Sequence, residues 1–301
     1  MYDLIVIGGG PAGLTATMYA IRKRLNVLLV SQDLGGKTNF HLELPDLDNY
    51  QVINGVEVVN KFKSELEYLK FARHMEAVER VERYGEGFVV YTKGGGELLA
   101  RAVIIATGAR QQRLNVPGER EYLSRGLCYS ALSYAPLFID KETAVIGDGE
   151  LALRSAGELA TVAAHVHLIG PAEPILATDL GQKLRRSPNV TILERYEVTR
   201  VEGNGYCNRV VVQSPAGQRQ AIDVDGAFVE KALLPNSEMV VDLVALDENG
   251  FIQVDCYNRT STPGIFAAGD VTSIYAEQVL VAVGEGVKAA LSAYDYLLPR
   301  L

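Results

Sequence analysis

The chain has 301 residues, enough for two compact domains that each bury a core. Hydrophobic residues at 48% and charged residues at 22% describe a globular chain, and a formal charge of -8 excludes a broad phosphate-binding surface for nucleic acid. No apolar run reaches the roughly 18 residues of a membrane span. The first residues read as a core strand without a basic leader, so a cytoplasmic protein with no membrane segment is expected.

Tyr2 to Ile7 is an apolar run of strand type. It is followed by Gly8, Gly9, Gly10, Pro11, Ala12 and Gly13, then by helical spacing from Leu14 and a second strand at Leu25 to Val30. In a strand–GxGxxG–helix turn, Gly8 permits the tight bend and Gly10 admits a pyrophosphate close to the backbone. Gly13 lets the helix lie against the strand, and the helix points its positive end at the phosphates. A dinucleotide ligand follows. An acidic residue is expected at the end of the second strand to accept the ribose hydroxyls. Ser31 and Gln32 stand there instead, with an acid only at Asp33, leaving Ser31 or Asp33 for the sugar.

Gly35 and Gly36 form a loop able to pass close to a ligand or simply to connect. Val56, Val59, Phe62, Leu66 and Leu69 give one amphipathic helix over 55–69. Strands are expected at Ala77 to Glu82, Phe88 to Thr92 and Ala102 to Ala106, with Gly94 to Gly96 as a hairpin turn. Ala106, Thr107 and Gly108 then bring backbone to the mouth of the sheet.

Pro117 and Gly118 mark a boundary, and from Glu142 the opening arrangement recurs. A strand, the turn Gly147-Asp148-Gly149-Glu150-Leu151-Ala152, a helix to about Ala160 and a strand at His165 to Ile169 make an internal repeat and a second dinucleotide-type fold. Its GxGxxA carries two carboxylates, Asp148 and Glu150, where a pyrophosphate would sit, and these repel an anion. Gly170, Pro171, Ala172 and Glu173 supply no cation for a ribose 2'-phosphate, so NADPH is poorly provided for. The repeat is either an altered nucleotide site, at Gly147, Gly149 and Ala152, or an empty structural relic.

Val190 to Leu193, Val198 to Glu202, Arg209 to Gln213 and Ala221 to Val224 read as a meander, with Ala227 to Val229 returning to the sheet. Pro235 and Asn236 mark the exit. A strand at Ile252 to Asp255 leads to Ile265 to Asp270, where Gly269 and Asp270 put a carboxylate at the sheet mouth. A helix from Gln278 to Tyr296 closes the chain. The expected fold is α/β: two Rossmann-like, three-layer ββα domains, the second inserted in the first, over 1–115 with 246–301 and over 116–245. Cys128, Cys207 and Cys256 are too few and too scattered for a disulfide framework or a zinc site, and no metal is expected.

Together, Gly8 to Gly13, Ala106 to Gly108, the turn at Gly147 and Ile265 to Asp270 resemble the thioredoxin-reductase-like, FAD-dependent pyridine nucleotide-disulfide oxidoreductases over nearly the whole length. The resemblance implies FAD held by the first motif and by Asp270 at its ribityl or pyrophosphate part. It implies backbone at Gln278 and Val279 against the ring, and Gly35, Gly36, Thr38 and Asn49 lining the flavin. Thr107 and Gly108 would lie near the adenosine half, and a homodimer is implied.

Two departures matter. The family's CxxC aligns with Ser130 and Ser133, which cannot exchange disulfides, leaving Cys128 as a lone thiol of that region. The family's basic cluster for NADPH is replaced by Gly170, Pro171 and Ala172. The expectation is therefore a flavin enzyme without the dithiol and independent of pyridine nucleotide, fed by a redox protein such as ferredoxin or carrying a second flavin in the repeat. Two alternatives stand beside it: a dithiol-less flavin NAD(P)H oxidoreductase of the ferredoxin-NADP reductase type, and a non-catalytic flavin or nucleotide sensor.

Overall fold

The computed structural model describes residues 1–40, 42–45, 55–274 and 276–301. Two compact units are present: Met1–Asn39 with Asn54–Arg110 and Leu234–Leu301, and Phe40–Ile53 with Gln111–Leu233.

In the first unit the strand Tyr2–Ile7 lies between Val27–Val30 and Glu97–Ile105, parallel to both. Arg73–His74 extends one side in parallel, and Ile265–Ala267 adds parallel to residues 103–105. The antiparallel pair Val78–Tyr84 and Gly87–Thr92 joins the earlier half of the 97–105 strand. Because side chains alternate across a strand, one face presents Leu4, Val6, Leu29 and Ile104 to the helices Pro11–Arg22, Val56–Tyr68 and Val279–Leu297. The other presents Ile5, Ile7, Leu28 and Ile105 to Val81, Phe88 and Val90 of the antiparallel pair. Both faces are covered, which is why these strands read as continuous apolar runs. The opening and closing helices cross closely, since a Cβ at Gly286 would collide with the carbonyl of Ala12.

The second unit repeats this plan. Its five parallel strands run in the order Val190–Leu193, His165–Ile169, Glu142–Ile146, Gly226–Val229, Leu127–Cys128. The helices Glu150–Leu159 and Asp179–Arg186 bury one face through Leu153, Ala156 and Leu184. A three-stranded antiparallel meander, Glu197–Gly203, Cys207–Gln213 and Arg219–Asp223, buries the other through Val201, Val210 and Val212. Leu42 and Leu44 also pack in the helix-face core of this unit.

The strand Glu97–Ile105 begins earlier than the expected Ala102, Arg73–His74 and Asp179–Arg186 were not expected, and three further details differ from the sequence reading. Val190–Leu193 is the edge of the parallel sheet, not part of the meander: Val190 and Ile192 turn to the helices and Leu193 to the other face. No strand forms over 252–255. Ile252 makes only isolated bridges, to Leu246 and Thr272, and Gln253 N–H bonds Ala245 O at 3.0 Å. The chain passes into the second unit at 110/111 and out of it at 233/234, and Phe40–Ile53 also belongs to that unit, whereas the expected bounds were 115/116 and 245/246 with 40–53 in the first domain. Leu114 and Asn115 donate their backbone N–H groups to the buried carboxylate of Glu119, 2.7 Å each, and so belong with the second unit. Val240 and Val244 are buried in the first.

Candidate functional site

The first glycine turn is built by three packed glycines, Gly8, Gly9 and Gly13, and one open one. Gly8 has φ 109° and donates its N–H to Val30 O at 2.9 Å. A Cβ there would collide with Ala106 O, and one at Gly13 would collide with Gly8 O. At Gly10 a Cβ would meet nothing within 4 Å. Gly10 is the extended residue before the helix Pro11–Arg22, no side chain caps that helix end, and its first turn carries no acidic residue. The helix N-terminus therefore keeps unsatisfied donors and an open approach, which is what an anionic dinucleotide needs.

Three further segments border this end. Gly35 N–H bonds Gly9 O at 2.7 Å, and a Cβ on Gly36 would lie 3.0 Å from Gly10 Cα. Gly35 and Gly36 have φ of 110° and 56°, a left-handed path that favours glycine. Gly269, at φ 75°, sits so that a Cβ would lie 3.0 Å from Ala12 Cβ. Gln278 is the extended residue that begins the closing helix, Val279 packs partly in the core below, and Ala282 donates its N–H to Gln278 O at 3.0 Å. Gly108, at φ 67°, is open around its Cβ position, while Ala106 is buried beneath Gly8.

Several residues expected near the ligand have side chains that bond within the protein. Thr38 is buried, and its hydroxyl donates to Gly35 O at 2.8 Å. Thr107 donates its hydroxyl to Asn236 O at 2.6 Å, and Asn236 returns a bond to Thr107 O at 2.9 Å. Asp33, considered above for the sugar, accepts from Gly36 N–H at 2.9 Å and so shapes the glycine loop. Ser31 is half-buried and Gln32 exposed; Ser31 N–H bonds His74 O at 3.1 Å. Asn49 lies outside the described residues.

Sequence reasoning missed the charge cluster here. Lys37 Nζ lies 2.8 Å from Asp270 Oδ2 and 2.9 Å from Glu277 Oε2. Burial would lower the Lys37 ammonium, but the two carboxylates outweigh it and hold it above its ordinary value. Burial raises the Glu277 carboxyl above its ordinary value, against the opposing pull of Lys37. The available signal was a lysine directly after the glycine pair and an acid directly before Gln278.

The second turn has the same backbone logic with different charge. Gly147 donates its N–H to Ile169 O at 2.9 Å, and its Cβ position is filled by Glu230 O and by Ala152, whose Cβ would be 2.8 Å away. Gly149 is open and extended. Asp148 and Glu150 are exposed, and Glu150 sits in the first helical turn, where its charge satisfies the dipole, with Arg154 Nη2 at 2.6 Å.

In the same unit Ser130 and Ser133 are half-buried and hydrogen-bonded to each other at 2.9 Å. The next backbone N–H, of Ala131, donates to Glu230 Oε1 at 2.7 Å. Cys128 is buried, and that burial pushes its thiol well above the ordinary range, against a nucleophilic role. Among the described residues no helix is long and apolar enough to cross a membrane.

Two Rossmann-like folds, the first with a glycine turn whose helix end is uncapped and free of acid, define a protein of the dinucleotide-binding class. Residues 2–286 match the family model described as pyridine nucleotide-disulphide oxidoreductase. The chain is 35% identical over 305 residues to a component of alkyl hydroperoxide reductase in Pseudomonas aeruginosa, covering 99% of this chain and 58% of that protein. Thioredoxin reductase from Streptococcus pyogenes MGAS5005 superposes with a TM-score of 0.88 at 33% identity, with 99% of each chain covered. The enzyme from Giardia duodenalis gives 0.87 at 26%, also over 99% of each. The chain spans 57 to 59% of the length of the curated relatives it matches. It belongs to the pyridine nucleotide-disulphide oxidoreductase family, whose members are FAD-dependent.

Proposed function

We propose that this chain is a FAD-dependent oxidoreductase of thioredoxin-reductase type that works without the redox dithiol and independently of pyridine nucleotide. A reduced redox protein such as a ferredoxin would be the donor, and the expected setting is a cytoplasmic homodimer. The carrying observation is the pair Ser130 and Ser133, hydroxyls bonded to each other where the resemblance puts the family's two thiols. A serine hydroxyl neither exchanges with disulfides nor stores electrons. Cys128 does not substitute, because it is buried and held protonated. Against a pyridine-nucleotide donor stand the carboxylates of Asp148 and Glu150 at the second turn and the lack of a cation over 170–173.

The first unit suits FAD. The Gly10 end of the opening helix would receive the pyrophosphate, Gly36 and Gly108 would lie against the ligand through backbone, and Asp270 and Gln278 would border it. When bound, FAD supplies acceptance of electron pairs and their release singly or in pairs. The residues then have three tasks: to offer unsatisfied N–H donors to an anion, to balance charge around it, and to keep the glycine loop in one shape.

The test is an anaerobic reductive titration of the purified protein with its cofactor released, identified and counted per chain. Bleaching by reduced ferredoxin but not by NADH or NADPH is expected. Rapid bleaching by either pyridine nucleotide would instead favour the NAD(P)H oxidoreductase reading, and two FAD per chain would put a flavin in the repeat.

A further inference from the structure

The Lys37 cluster supplies something that the glycine motif alone lacks. Asp270 and Glu277 both reach one ammonium nitrogen, at 2.8 and 2.9 Å, so their oxygens lie within about 6 Å of each other. Both carboxylates are largely shielded, with side-chain exposures of 16% and 26%. They stand where two helices begin: Gly269 abuts Ala12 in the first turn of the opening helix, and Glu277 precedes Gln278 at the start of the closing one. Lys37 arrives from the other side on Gly36, whose Cβ position abuts Gly10. Two carboxylates at the mouth of a pyrophosphate site oppose the ligand they border, as Asp148 and Glu150 do at the second turn. The first turn differs in having a cation between its acids.

The geometry points to Lys37 as the charge-balancing residue of the FAD site: bridging Asp270 and Glu277, it lowers the local negative charge by one and makes an anionic dinucleotide tolerable beside them. The inference rests on the flavin reading above. It assigns Lys37 an effect exerted through the two carboxylates, so removing one carboxylate must compensate for removing the lysine.

The experiment is FAD binding to the apoprotein, followed by quenching of flavin emission. Wild type, K37Q, K37R, E277Q and K37Q/E277Q are compared at low and high salt, with circular dichroism to show that each is folded. K37Q is expected to weaken FAD binding by about tenfold or more at low salt and by less at high salt, as screening removes the repulsion. K37R should bind nearly as wild type, and E277Q should restore most of the affinity in the double variant. A folded K37Q that binds FAD as wild type does, or a double variant as weak as K37Q, overturns the inference while leaving the flavin reading intact. Wild-type apoprotein that takes up no FAD overturns both.

Discussion

The two glycine turns share a backbone and differ in electrostatics. In each, the first glycine donates to the end of the neighbouring strand at 2.9 Å, has its Cβ position filled by protein, and is followed two residues later by a glycine that is open. At the first turn the opening helix has no acid in its first turn, and the nearby carboxylates Asp270 and Glu277 share Lys37. At the second, Glu150 occupies the helix end and pairs outward with Arg154, while Asp148 is exposed. A shared backbone therefore does not imply shared electrostatics: the first helix end is free of acid and the second carries one.

The comparison breaks hardest at the packed glycines. Gly13→Ala places a methyl group against Gly8 O and should destabilise the first unit by about 3 kcal/mol or more, read by urea denaturation. Gly147→Ala should do the same to the second unit, where Glu230 O fills the space. If either variant is as stable as wild type, the close packing that makes the turns equivalent is wrong.

Alkaline pH should strain the second unit next. Burial raises the Cys207 thiol to about 11 and pushes Cys128 well above its ordinary value, whereas Cys256 of the first unit is exposed. The folded state holds these protons more tightly than the unfolded one; for Cys207 the contribution is full below about pH 9 and is lost as pH rises toward 11, by about 2 to 3 kcal/mol. Thermal melts at pH 8 and pH 10.5 measure it, and C207A should remove its share of the slope. At pH 8 only Cys256 should react quickly with a thiol reagent; fast modification of Cys128 in the folded protein would contradict its burial.

The open glycines sharpen the contrast without touching stability. Gly10→Ala should leave the melting temperature nearly unchanged yet weaken FAD binding about tenfold, because its methyl group points into the open space proposed for the ligand. Gly149→Ala should change neither stability nor FAD binding to the first unit. The smallest effect is expected from D148N/E150Q: removing both carboxylates should raise NADPH affinity of the second unit by a few-fold, measured by equilibrium dialysis. No gain would mean that the two carboxylates do not set the affinity of this turn for the nucleotide.

Local sequence determined the elements. Tyr2 to Ile7, His165 to Ile169 and Val190 to Leu193 appear at the bounds their apolar runs suggest, and both glycine turns sit where the spacing puts them. Such features depend on steric limits and on burial within a few residues of the chain. Partnership was decided only in three dimensions. The sheet to which Val190–Leu193 belongs depends on which side chains meet distant helices, and Ile252 resembles a strand residue although the residues after it find no neighbouring strand. Lys37 meets acids more than two hundred positions away, so no window along the chain contains the cluster. Charge acts across space, and only the folded chain brings those two carboxylates to one nitrogen.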